Sequence, residues 1–367
     1  MKIDEQRTNR PRGILRPLSA ALGLGAALAC GGPALGQETL APAGTSLTAA
    51  DTAGGDRPGT RRALIVCGHP GDAEHFQTFS ETAARLREGL VKTAGVASGE
   101  VKLYFGVDPE RDDKALIPEG TVGPATREAL TAAVETLRQE LKPEDTLWVV
   151  FAGHAHFDGR RSWINLPGPD FHQDEIGKLF RGLACREQVF VIATAASGFY
   201  VKPLSAPGRV VISATEADLE VNETLFAAAL AEELIRLGEP PVPKAASAAP
   251  PAAEAAATPA TPPAPAAEAG QETVAPPPSP DADGDGVLTL FDLYIATTRG
   301  VAQKYIAESL LITEHALIDD NGDGRATEVQ RDYLTEAEGG RKRASFVPSH
   351  PAGQDGSAAA QIRLAVP

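Results

Sequence analysis

The chain of 367 residues has room for one large domain or two of ordinary size, and a hydrophobic fraction of 43% suffices for a sizeable core. A formal net charge of -15 leaves no basic stripe of the kind that tracks phosphates. Nucleic acid is thereby excluded as an expected partner, and hard cations are favoured.

At the N-terminus Arg7, Arg10, Arg12 and Arg16 precede the apolar, small-residue stretch LSAALGLGAALAC and then GGPALGQ. This is the layout of a secretory signal over residues 1–36, with Ala34 and Gly36 before a cut at Gln37. A cut before Cys30 would instead make a lipoprotein, although Ala27 stands where a leucine is usual. Export to the periplasm or the exterior is expected, with no membrane span in the mature chain. Only Cys67 and Cys185 then remain, both inside or beside apolar runs, and they read as buried free thiols.

Residues 37–60 are small, polar and unperiodic, as in a disordered leader. Over residues 61–238 short runs rich in Val and Ile alternate with helical patterns. RALIVC, VKLYFG, TLWVVFAG, QVFVIATA and GRVVISAT read as strands covered on both faces. Between them TREALTAAVETLRQEL places Leu130, Val134, Leu137 and Leu141 on one helical face. FQTFSETAARLREGLVK and NETLFAAALAEELIRL are helical too, the latter with Asn222 as its expected N-cap. Such alternation predicts an α/β fold, a doubly wound and mostly parallel sheet with helices on both faces. The chemistry of such a sheet sits beyond the carboxyl ends of its strands. Residues 239–280 form a Pro/Ala-rich linker, residues 281–338 an acidic, partly helical segment, and residues 339–367 a tail expected to be disordered.

The strand ends carry GHPGDAEH, GHAHFDG and TAASGF. His-x-His-x-Asp resembles the opening of the zinc motif in metallo-β-lactamase-type hydrolases, with Gly159 where a further histidine would stand. GHPGD resembles the zinc deacetylase motif, with Ala73 where a glutamate would stand. A catalytic zinc needs three protein ligands, and His69, Asp72, His154 and His156 are the candidates for a metal-dependent hydrolase.

The blocks ALIVCGHPGDAEHFQTFSETAARLREGL, VVFAGHAHFDGRRSWINLPGPDF, VFVIATAASGFYVKPLSAPGRVVISAT and NETLFAAALAEEL resemble those of a bacterial legumain-like domain of the caspase-type cysteine peptidases. The resemblance implies a caspase-like sheet, a general base in Gly-His-Gly and a nucleophile in Asp-x-Cys-x-Ser-Gly. Gly153 and His154 match the first pair, with Ala155 in place of the second glycine. Ser197 and Gly198 match the end of the other motif, with Ala195 at the cysteine position and Ala193 at the aspartate position. A methyl group does not attack a carbonyl, so the expected function is that of an inactive pseudo-peptidase that binds or scaffolds a protein or peptide, with His154 a vestigial base. The open alternative is a hydrolase in which Ser197, on the same face of an extended segment as Ala195, pairs with His154.

DADGDGVLTLFD places Asp281, Asp283 and Asp285 at positions 1, 3 and 5 of a calcium loop, Gly286 at the sharp turn, the Val287 carbonyl at 7, Thr289 at 9 and Asp292 at 12. A second loop offers Asp319, Asn321, Asp323 and the Arg325 carbonyl. Its position 12 is Gln330, and Glu328 is the carboxylate expected to substitute. Both loops resemble EF-hand and dockerin modules, which implies Ca²⁺ as cofactor and mostly helical chain between them. TEHALIDDNGDG is also similar to the carboxyl-terminal part of bacterial legumain-like proteins, which implies that it packs back on the sheet.

Overall fold

A computed structural model of the protein describes residues 59–107, 117–217, 220–239 and 279–365. The expected signal over 1–36 with its Cys30 alternative, nearly all of the leader and nearly all of the linker lie outside the described residues. Among the described residues no helix is long and apolar enough to cross a membrane.

The chain runs β1 (Arg61–Cys67), α1 (Ala73–Lys92), β2 (Val101–Phe105), β3 (Thr121–Pro124), α2 (Arg127–Glu140) and β4 (Thr146–Ala152). Three short strands follow, β5 (Ala155–Phe157), β6 (Ser162–Ile164) and β7 (Phe171–His172), then α3 (Gln173–Leu179), β8 (Glu187–Ala193), α4 (Val201–Leu204), β9 (Arg209–Ser213) and α5 (Phe226–Leu237). The carboxyl-terminal part adds α6 (Leu290–Ala307) and β10 (Leu317–Asp319). Seven strands form one sheet in the order β10-β9-β8-β4-β1-β2-β3, parallel except for β10, which runs antiparallel to β9. All five strands expected from the apolar runs are present.

The runs are mostly apolar because the sheet is covered twice, although Lys102 of β2 is exposed. Ala63, Ile65 and Cys67 of β1 face Phe79, Leu86 and Leu90 of α1 with Leu230 and Leu234 of α5. Leu64 and Val66 face the opposite way, into Leu130, Val134 and Leu137 of α2. The chain builds outward from β1 to one side through β2 and β3, then returns to the other side with β4. This reversal opens a crevice at the carboxyl ends of β1 and β4.

Helix α5 is not capped by Asn222. It begins at Phe226, and Leu225 at its N-cap makes no side-chain capping bond; its amide donates instead to Glu314 Oε2 at 2.9 Å. A tertiary carboxylate thus does the work expected of a local side chain. Glu314 is 6% exposed, and burial raises its pKa from 4.5 to about 7. Between those values the folded chain keeps a proton that the unfolded chain has lost, so stability falls as pH rises across that window. Glu314→Gln removes this titration. Relative to wild type its stability will rise between pH 4.5 and 7, by up to about 3 kcal/mol, in denaturant melts run across that range.

The acidic carboxyl-terminal segment is no separate module. Phe291, Leu293 and Tyr294 of α6 and Ile318 of β10 share one buried cluster with Ile65 of β1. The chain between the acidic loops is helical only through Ala307, and the second loop is entered from a strand, β10, rather than from a helix. That strand closes the open edge of β9. The tail is ordered where it is described, contrary to expectation. Leu290 and Leu364 donate to Ile362 and Leu288 carbonyls, Thr289 bridges Arg363, and Ala359 is fully buried. Its bonds go to neighbouring segments, and no hydrophobic period announces them.

Candidate functional site

His154 follows β4 at the crevice. Gly153 ahead of it has φ of +109°, and a Cβ there would stand 2.9 Å from the Gly68 amide nitrogen. Only glycine lets the two strand ends approach this closely. The His154 ring lies 4.9 Å from Phe79 and 4.7 Å from His75, centroid to centroid, and its Nε2 is 3.1 Å from the Pro70 carbonyl.

His75 stands in the first turn of α1, where Asp72 caps the helix by accepting from the His75 amide. The same carboxylate reaches His75 Nδ1 at 2.8 Å, and Glu223 Oε2 lies 3.0 Å from Nε2. The Asp72 bond and the Glu223 charge raise the His75 pKa, and the two His75 bonds lower that of Asp72. One donor atom from each of His75, His154 and Glu223 falls within 4.8 Å of the others.

The expected set of His69, Asp72, His154 and His156 is not brought together. His69 Nδ1 accepts from the Gly71 amide. His156 on β5 faces Asn165 Oδ1 at 2.7 Å and stacks on Trp163. Asp158 is taken up by the Arg160 and Arg161 amides and the Trp163 indole. His75 and Glu223 escaped the sequence reading. A signal for His75 was present, since it sits three residues past Asp72 on one helical side. Glu223 is 148 residues distant from His75 and carried none.

Ala195, which the resemblance places where a nucleophile would stand, is 4% exposed. Ser197 does not replace it. The serine is fully buried. Its Oγ accepts from the Thr215 amide at 3.0 Å and pairs with the Thr215 hydroxyl, while its amide donates back to Thr215 Oγ1 at 2.8 Å. No hydrogen bond joins it to His154 among the described residues. The expectation failed because Ala196 takes a left-handed conformation at φ 48°, which breaks the extended run that would have set Ser197 beside Ala195. Ser197→Ala strands the buried Thr215 amide and will cost about 1–3 kcal/mol in urea unfolding.

The thiols are equally inert. Burial pushes Cys67 far up and Cys185 to about 11, so neither is a thiolate at neutral pH. Both are free.

The two acidic loops are built alike. Asp281 Oδ1 accepts from the Gly284 amide at 2.6 Å and Oδ2 from Gly286 at 2.9 Å; Asp319 accepts from Gly322 and Gly324, both at 3.0 Å. Asp283 and Asp285 accept from the amides two residues on, as do Asn321 and Asp323. Asp281, Asp283 and Asp285 each bring a carboxylate oxygen within 4.8 Å of the others.

Asp292 stands outside that group. Its oxygens accept from the Ala282 amide and from the amide and hydroxyl of Thr289, and burial raises its pKa. In the second loop Gln330 is buried, receiving the Tyr294 hydroxyl and donating to the Ala316 carbonyl. Glu328 does not substitute, because it turns to Arg331 at 3.2 Å. Asp355, from the tail, stands to this loop as Asp292 stands to the first. It accepts from the Asp320 amide at 3.4 Å and from the Thr327 hydroxyl at 2.8 Å, the loop positions that Ala282 and Thr289 occupy around Asp292. Burial, with Asp320 and Asp319 nearby, raises its pKa to about 6. His350, also from the tail, meets Asp283 Oδ2 at 2.8 Å.

No protein-family model and no curated protein matches this chain.

Proposed function

We propose that this chain is an exported calcium-binding protein whose caspase/legumain-like α/β domain is catalytically silent and binds a peptide or protein segment in the crevice beside His154. The observation that carries the reading is the buried methyl of Ala195 past the end of β8, with Ser197 consumed by Thr215 and both thiols protonated. The residues for acyl transfer are therefore missing, while the crevice that would receive a peptide persists. The strand order, reversing between β1 and β4, supports the caspase-like reading of the fold.

Calcium suits the acidic loops by donor chemistry. Asp281, Asp283, Asp285 and the Val287 carbonyl would hold it in the first loop; Asp319, Asn321, Asp323 and the Arg325 carbonyl would hold it in the second. Thr289 and Asp292 are engaged with one another, as Thr327 and Asp355 are, so these two carboxylates brace the turns rather than hold the ion. Bound calcium supplies positive charge that offsets the clustered carboxylates and holds the turns.

Two measurements test this. Incubation with a broad peptide library, read by mass spectrometry, will show no cleavage by the wild-type chain in the presence of calcium. Cleavage that disappears in His154→Ala would overturn the silent reading. Equilibrium dialysis with calcium will show saturable uptake that falls in Asp281→Asn, and no uptake would remove calcium from the proposal.

A further inference from the structure

We propose that His75, His154 and Glu223 form a three-ligand site for a divalent transition-metal ion of the zinc class, separate from the acidic loops. Two imidazoles and a carboxylate are the donor set that such ions prefer over calcium or magnesium, which take oxygen. A tetrahedral ion with bonds near 2.1 Å sets its ligand atoms about 3.4 Å apart. One atom from each of the three residues lies within 4.8 Å of the others, with His75 Nε2 and Glu223 Oε2 at 3.0 Å. Small side-chain rotations bring them onto one ion.

The surroundings favour the same reading. Asp72 accepts from Nδ1 of His75, which places the proton there and leaves the Nε2 lone pair for the ion. This outer carboxylate is the usual companion of a metal-bound histidine. The Pro70 carbonyl does the same for His154 through Nε2, leaving its Nδ1 lone pair. A second proton on His75 would account for the Glu223 contact, but His154 shares no hydrogen bond with either residue. An ion bridging the three would join His154 to the other two. Asp72 and Glu223 together balance a charge of two.

The place is also suitable. The ligands come from α1, from the end of β4 and from the segment before α5, all at the crevice, so they converge only in the folded chain. Glu223 is exposed and the histidines are half-buried, which gives the ion a way in. A cavity of about 80 Å³ lined in part by Phe79, Gly153 and Glu223 adjoins the cluster. Three protein ligands leave a fourth position for water or for a donor atom of a bound segment.

The test uses the full chain, stripped with a chelator and returned to buffer with saturating calcium so that the acidic loops are occupied. Zinc chloride is titrated by calorimetry, and cobalt(II) chloride is added with the visible spectrum recorded. We expect one equivalent of zinc bound despite the calcium, an affinity at least about tenfold weaker in His75→Gln and in Glu223→Gln, and no change in Asp281→Asn. Cobalt(II) will give the intense bands of a tetrahedral nitrogen and oxygen site. The absence of a saturable event would overturn the proposal, as would an event that His75→Gln and Glu223→Gln leave unaltered or that Asp281→Asn removes. The cobalt spectrum of the unaltered chain decides independently of how the variants fold, and a weak octahedral spectrum counts against the site.

Discussion

Calcium added to the chelator-treated chain will raise its melting temperature by roughly 5–10 °C when the ion stands a hundredfold above its dissociation constant. A ligand that binds only the folded state adds about 2.7 kcal/mol at that excess, and a domain of this size shifts by about 2–4 °C per kcal/mol. The loops belong to the core, so the effect reaches the global transition. Asp319 is fully buried on β10, that strand completes the sheet, and α6 leaves the first loop to pack into the main cluster. Asp281→Asn keeps a carbonyl oxygen for one amide and removes the charge, so the calcium increment will shrink while the calcium-free melt changes little. Asp319→Asn turns an amide group towards a buried N–H, and will cost about 1–3 kcal/mol even without calcium. Melting curves that coincide in calcium and in chelator would mean that these loops hold their turns by hydrogen bonds alone.

The parts of this molecule legible in its sequence are those whose signal is local and repeated. Five strands could be read because each is a run rich in Val, Ile, Leu and Phe between two covered faces, and α2 because Leu130, Val134 and Leu137 return to one side. The acidic loops were legible because aspartate and glycine alternate there for geometric reasons: Gly286 and Gly324 have φ of +83° and +77°. What escaped depends on partners far along the chain or on one dihedral angle. Glu314 caps α5 from 89 residues away, and Asp355 serves a loop whose Asp320 lies 35 residues earlier. Ser197 was misplaced by a single left-handed alanine. The histidine cluster combines both difficulties, because His75 looks like one polar position on an amphipathic helix and Glu223 like a residue before the next.

Ending the chain at residue 339 will cost at least about 4 kcal/mol and remove calcium binding from the second loop, although composition marks the deleted stretch as expendable. The Phe291 ring lies 4.3 Å from that of His350, and Tyr333 packs on Phe346 and His350. Without the tail these two core aromatics, now 0% and 2% exposed, face water, and Leu364 and Ala359 lose their places. Uncovering large apolar side chains costs about 1.5–3 kcal/mol for each one fully exposed. The same cut unpairs Asp283 from His350 and Asp320 from the Ala359 amide. Asp355→Asn separates the two roles of the tail. It leaves the aromatic packing intact, so the urea midpoint will move little, yet it removes the carboxylate that stands to the second loop as Asp292 stands to the first. Its calcium titration will show the second-loop event weakened and the first kept, because the contacts with Asp320 and Thr327 that brace that turn are altered. A truncated chain that melts with the wild type would show that the tail merely lies on a core already closed. A variant at Asp355 with both calcium events unaltered would show that the second loop keeps its turn without that carboxylate.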